Sequence, residues 1–276
     1  MNKEGASDDG PFLYEFFIKE SHQMQNALII HIPHSSRYIP VSARTDYVKE
    51  RLPREFLVMT DHFCDELFSS PFPTLKFPYS RLYCDVERFK EDEKEEMTSV
   101  GMGFAYTHCS DGTVLRTLSK ERKEQILASC YEPHHQKLIR MTESALKETG
   151  SCLIVDGHSF YPEALPYELH PKLHRPEICV GTDPFHTPEW LSAFCYEFFT
   201  GKGYEADFNA PFIGTIVPLP YYGKEKKVRS VMIEINRKLY MDRSGEKISA
   251  FGKVKTDIRQ FLEQLSREED KHLADE

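Results

Sequence analysis

Several features that would assign a class outright are missing from this chain. None of its apolar stretches approaches the ~20 residues that span a bilayer, and Met1 to Gly10 is polar and acidic where a secretory leader would be basic and then apolar. Neither membrane association nor secretion is expected, and the expected location is cytoplasmic. Positive charge is in deficit, with 35 Lys and Arg against 44 Asp and Glu and a formal net charge of -9. That balance argues against electrostatic capture of nucleic acid, yet leaves room for a local basic pocket around a small anion. The seven cysteines are odd in number and form no C-x-x-C pair, which fits a secreted disulfide framework poorly. They read as small buried apolar side chains. Also absent are H-E-x-x-H and G-x-S-x-G, which excludes a helix-borne zinc protease motif and argues against a nucleophile elbow built on Ser159.

What is present is a 40% apolar chain of 276 residues, enough for one domain spanning residues 1–276 with a large core. After a loose N-terminus, Asn26 to Ile32 reads as a strand. Leu75 to Phe77, Leu82 to Val86, Cys152 to Val155, Ile178 to Val180 and Ser230 to Ile235 are the other strand candidates. Helical patterns cover Glu55 to Phe68 with Pro53 in the first turn, Ser119 to Glu148 divided or kinked by Pro133, and Pro188 to Thr200 stopped by Gly201. A closing amphipathic helix carries Phe251, Val254, Ile258, Phe261, Leu262 and Leu265 on one stripe. The charged run Lys90 to Glu96 reads as a solvated loop. Strands alternating with helices predict a three-layer α/β fold.

Three of the apolar runs end in a group that binds metal or moves a proton: Ala27 to His34, Cys152 to His158, and Val231 to Glu234. Open sheets bind ligands beyond the carboxyl ends of their strands, so two histidines and a glutamate are expected to meet there. Catalytic zinc takes three protein ligands and keeps one position for water. His34 and His158 supply two, and Asp61 or its neighbour His62 supplies the third. Asp156, two residues from His158, reads as a ligand or as the partner that orients one. Glu234 is costly to bury as a charge unless it meets an arginine or faces a polar cavity; beside an activated water it is a general base.

Taken in order, several segments together resemble those of the N-formylglutamate amidohydrolase family. They are His34-Ser35-Ser36-Arg37-Tyr38-Ile39-Pro40, Thr60-Asp61, Asp85-Val86-Glu87-Arg88, Asp156-Gly157-His158-Ser159, the stretch Asn209 to Gly214, and Glu234-Ile235-Asn236-Arg237. The resemblance spans about residues 28 to 245. It implies a zinc-dependent exopeptidase-like fold, a mixed sheet between helices, and hydrolysis of the formyl amide of N-formylglutamate or a related N-acyl amino acid. It further implies His34, Asp61 and His158 as the Zn2+ site, Glu234 as the base, and Arg81, Arg88, Asn209 and Arg237 as contacts to substrate. His135 resembles part of a Pro-x-His segment and reads as a supporting residue. Departures fall beside the expected pocket: Ser36 and Thr215 stand where glycine is common, His62 where a large aromatic is common, and Glu87 where asparagine is usual. A carboxypeptidase-like hydrolase and a silent dicarboxylate-binding protein are the competing readings.

Overall fold

The computed structural model describes residues 27–168 and 174–275; the expected loose N-terminus lies outside them. Six strands form one mixed sheet in the order β2-β1-β3-β6-β4-β5. They are β1 (Leu28–Ile32), β2 (Thr74–Lys76), β3 (Cys152–Phe160), β4 (Ile178–Gly181), β5 (Ala206–Phe208) and β6 (Val228–Asn236). The first four in spatial order run parallel, whereas β4 pairs antiparallel with β6 and carries β5 beside it. The helices are α1 (Leu52–Met59), α2 (Cys64–Leu67), α3 (Lys120–Ile126), α4 (Glu132–Thr149), α5 (Glu189–Gly201) and α6 (Phe251–Asp275).

Alternation along the strands builds the three layers. Ile30, Leu153, Val155, Val231 and Ile233 point to the face covered by α2, α5 and α6, where Phe199, Phe261, Leu262 and Leu265 are fully buried. Ile29, Cys152 and Ile154 point the other way, onto Leu138 and Ala145 of α4. A separate apolar cluster, with Leu82, Val86, Met102, Phe104 and Tyr106, anchors the long excursion between β2 and α4. Its buried buttress is Arg116, which donates to the carbonyls of Tyr106 and Tyr83 and to the Tyr47 hydroxyl. All seven cysteines are unpaired and buried, and no described helix is long and apolar enough to cross a membrane.

Four expectations change. The helical stretch from Glu55 to Phe68 breaks after Met59: Thr60 is extended, and Phe63 takes a left-handed φ of 63° before α2 begins. Leu82 to Val86 is a turn, not a strand, because Tyr83 and Cys84 donate back to Ser80 and Asp85 to Phe104. The charged loop holds one buried member, Glu95, which accepts from the Phe89 and Met97 backbones. Past α5 the chain reverses at Gly203, φ 86°, while Gly201 closes the helix itself. Pro133 does divide its helix, with a wider turn over Leu127–Tyr131 between α3 and α4.

Candidate active site

β1 and β3 run side by side until His31 pairs with Asp156, and β1 stops one residue later. β3 continues to Phe160, so His158 projects into the crevice left where β1 ends and its chain turns away. The chain leaves β1 toward β2 on one side and returns as β3 on the other, which makes this gap a switch point of the sheet. His34, just past β1, and the Asp61 break between α1 and α2 close over it, joined by the Asp61 backbone N–H donating to the His34 carbonyl at 3.0 Å. Asp61 faces inward because the helix breaks there; a continuous helix would not present it this way.

His34, Asp61 and His158 bring one ligand atom each within 4.8 Å of one another, and all three are buried. Asp61 Oδ2 lies 3.0 Å from His158 Nδ1 and 3.8 Å from His34 Nδ1. Tetrahedral zinc, bonded at about 2.0–2.1 Å, spaces its ligands about 3.4 Å apart, so the set brackets the required spacing. The outer nitrogens are held as a metal site needs: Nε2 of His34 meets Asp85 at 2.8 Å and Nε2 of His158 meets Asp156 at 3.1 Å. His34 Nδ1 is buried with no hydrogen-bond partner among the described residues, an orphan that a metal ion would satisfy. Charge agrees. Burial alone would raise the Asp61 carboxyl, but His158, His34 and Arg237 outweigh it and hold it well below the usual carboxylate range. Burial likewise works against a charged His158, yet Glu87 and Asp156 lift its pKa well above the ordinary value. The crevice therefore collects positive charge, as a proton or as a cation.

Glu234 stands beside His158, paired with it in the β3–β6 register. It is 7% exposed, and its Oε2 has no partner among the described residues. Burial pushes its carboxyl up to about 8 against the pull of His158, a range in which it can both accept and release a proton near neutrality. In front of it opens a cavity of about 610 Å³ lined by Arg81, Arg88, Arg237, Tyr167, Phe212 and others.

The N-formylglutamate amidohydrolase family model matches residues 26–241. The chain belongs to that family. Among solved structures it is similar to the crystal structure of N-formylglutamate amidohydrolase from Ralstonia eutropha JMP134, with 22% identity, a TM-score of 0.77, and coverage of 90% of this chain and 95% of that one. A gene product of Agrobacterium tumefaciens is also similar, with 18% identity, a TM-score of 0.61, and coverage of 91% and 93%. These likenesses confirm the α/β fold. No curated protein matches the chain.

Against the amidohydrolase pattern, the arginines divide. Arg237 donates to the Val58 and Ser159 carbonyls, Ser159 Oγ and Asp61 Oδ1, so its guanidinium fixes Asp61 from behind. Arg81 grips Asp85 Oδ2 through Nε and Nη2 at 3.2 and 2.9 Å. Arg88 reaches carboxylates only at 3.8 Å, and its Nε has no hydrogen-bond partner among the described residues. It is the arginine with donors to spare. Asn209 does not line the cavity; its side chain is bonded to Thr182 through both amide atoms. His62 turns away, its Nε2 at 3.0 Å from the Phe56 carbonyl, leaving Asp61 in the ligand group. His135 donates to the Val86 carbonyl at 2.8 Å and so supports the Asp85–Arg88 loop.

The sequence assigns three participants no role, although Asp85 and Glu87 lie in one of the family-like segments. Asp85 orients His34, His31 holds Asp156 at 2.8 Å, and Glu87 lies 3.2 Å from His158. His31 carried a usable signal, since an imidazole between Ile30 and Ile32 in a buried strand demands a polar partner.

Proposed function

We propose that this protein hydrolyses the formyl amide of N-formylglutamate, or of an N-acyl amino acid close to it, with a divalent metal of which zinc fits the donor set best. One observation carries the reading: Glu234, buried and unpartnered at Oε2, stands beside a His-Asp-His set and lines, with His34 and His158, an arginine-lined cavity. His34, Asp61 and His158 would hold the metal, which when bound would supply Lewis acidity and lower the pKa of water toward ~7.

The chain's own residues do the rest. Glu234 takes the proton of the attacking water and returns it to the leaving nitrogen, so that formate and a free amine depart. Arg88 receives a substrate carboxylate, because the planar guanidinium fork matches it and its Nε lacks an internal acceptor. Arg81, with Nη1 3.9 Å from Asp61, faces the oxygen of the amide that gains charge. Asp85, Asp156 and Arg237 hold the ligands in place.

The test is a substrate series. N-formylglutamate should be cleaved, and Arg88→Met should lower kcat/KM by about 10- to 100-fold through KM, the size expected for a hydrogen bond to a charged group. Faster cleavage of peptides with a free C-terminus than of formyl amino acids would favour the carboxypeptidase-like reading, for which the cavity has room. Failure on both classes would return the binding-protein reading.

A further inference from the structure

Beside the His34-Asp61-His158 set lies a second one, tied to the first through Asp156, which orients His158. His31, Glu87 and Asp156 also bring one ligand atom each within 4.8 Å of one another. His31 Nδ1 is 2.8 Å from Asp156 Oδ1 and 3.7 Å from Glu87 Oε1, again around the ~3.4 Å spacing of a tetrahedral site. The set is pre-arranged. His31 Nε2 is held at 2.8 Å by Nε2 of His134, and Asp156 Oδ2 accepts from the Ile216 backbone N–H at 3.1 Å. His31 Nδ1 and Asp156 Oδ1, hydrogen-bonded to each other at 2.8 Å, are thereby held beside Glu87.

Charge pairing shows what this set lacks. Asp61 has Arg237 and Asp85 has Arg81. Among the described residues the Glu87 carboxylate meets three imidazoles and the Asp156 carboxylate two, and neither meets a lysine or arginine. Two neighbouring carboxylates whose basic partners are imidazoles alone suit a cation.

We propose that His31, Glu87 and Asp156 form a second divalent-cation subsite next to the first, with His158 between them. The Nδ1 edge of His158 faces Asp61, and its Nε2 edge faces Glu87 and Asp156 at 3.2 and 3.1 Å. One imidazole with two carboxylates suits a borderline cation of the zinc or manganese class. Glu87 decides the subsite, since it alone adds a carboxylate from outside the sheet. Its charge, bound to a cation, would no longer repel an anionic substrate entering past Arg88.

The test is metal stoichiometry, which does not depend on what the enzyme cleaves. Full-length protein is stripped with chelator, titrated with Zn2+ alone, and weighed by native mass spectrometry. Two ions per chain in the wild type, one in Glu87→Gln and one in His34→Asn is the expected result. Glu87 is about one-fifth exposed in its side chain, so its amide variant should fold, and a wild-type circular dichroism spectrum checks this. Saturation of the wild type at one ion overturns the second subsite while leaving the first. Two ions retained in Glu87→Gln also overturn it, and no bound ion removes both sites.

Discussion

Replacing Asp85 by asparagine should weaken metal binding without touching a ligand. Asp85 accepts through Oδ1 from His34 Nε2 at 2.8 Å and from the Glu87 N–H at 3.1 Å. Through Oδ2 it accepts from the Tyr106 hydroxyl at 2.6 Å and Arg81 Nη2 at 2.9 Å. Arg81 Nε adds a fifth donor at 3.2 Å; every partner is a donor, and asparagine offers one oxygen where five donors converge on two. With its oxygen kept toward Arg81 and Tyr106, its NH2 meets His34 Nε2, which must then give up its proton. The proton moves to Nδ1, the atom turned toward Asp61 and the proposed metal. The loss is that of a hydrogen bond to a charged group, about 1.5–3 kcal/mol, or roughly 10- to 100-fold in zinc affinity. Competition against a chromogenic chelator at neutral pH measures it, with circular dichroism confirming the fold. Folded Asp85→Asn that binds zinc as tightly as the wild type would refute the assignment of Nδ1 as the ligating atom.

Three further outcomes are expected. Glu234→Gln keeps the shape and removes the base, so kcat should fall by about 10²- to 10⁴-fold with metal content unchanged; a loss confined to KM would contradict its role. Burial depresses His135 to about 4, below the ordinary ~6.5 of histidine, so folding excludes its proton. Its contribution is intact above about pH 6.5 and fades as pH falls toward 4, a loss of about 3 kcal/mol. Urea unfolding across that window should show His135→Asn losing less stability with acid than the wild type. Leu262→Ala, on α6 at 0% exposure, should cost about 2–5 kcal/mol in unfolding free energy; a loss under 1 kcal/mol would mean that α6 is not part of the core.

Much of the layer plan could be read in advance because the inner strands are continuous apolar runs, buried on both faces between helices. Ile29 and Ile154 serve one face, Ile30 and Val155 the other, and α6 shows its stripe at the right period. The candidate residues stood out where an apolar strand meets a group that needs a polar partner or a cation, as at His158 and Glu234. Elsewhere local signal failed for physical reasons. Nothing between Glu55 and Phe68 breaks helix propensity; the bend at Asp61 follows from tertiary bonds, Arg237 to the Val58 carbonyl and the Asp61 N–H to His34. Leu82 to Val86 has strand composition, but its backbone is claimed by Ser80, Phe104 and the Arg116 guanidinium. β5 is three residues long and only partly buried, too little for a period of two to register. Asn209 belongs to a family-like segment, yet its side chain is held by Thr182, 27 residues earlier in the chain.

Zinc content and formate release, measured together in the wild type and in His158→Ala, test metal-dependent deformylation most directly. Metal bound by the wild type, formate released from N-formylglutamate, and both lost in His158→Ala together with loss of activity on chelator treatment is the predicted result. A wild-type protein that binds no divalent metal after reconstitution, or that releases formate equally well once stripped, would contradict it.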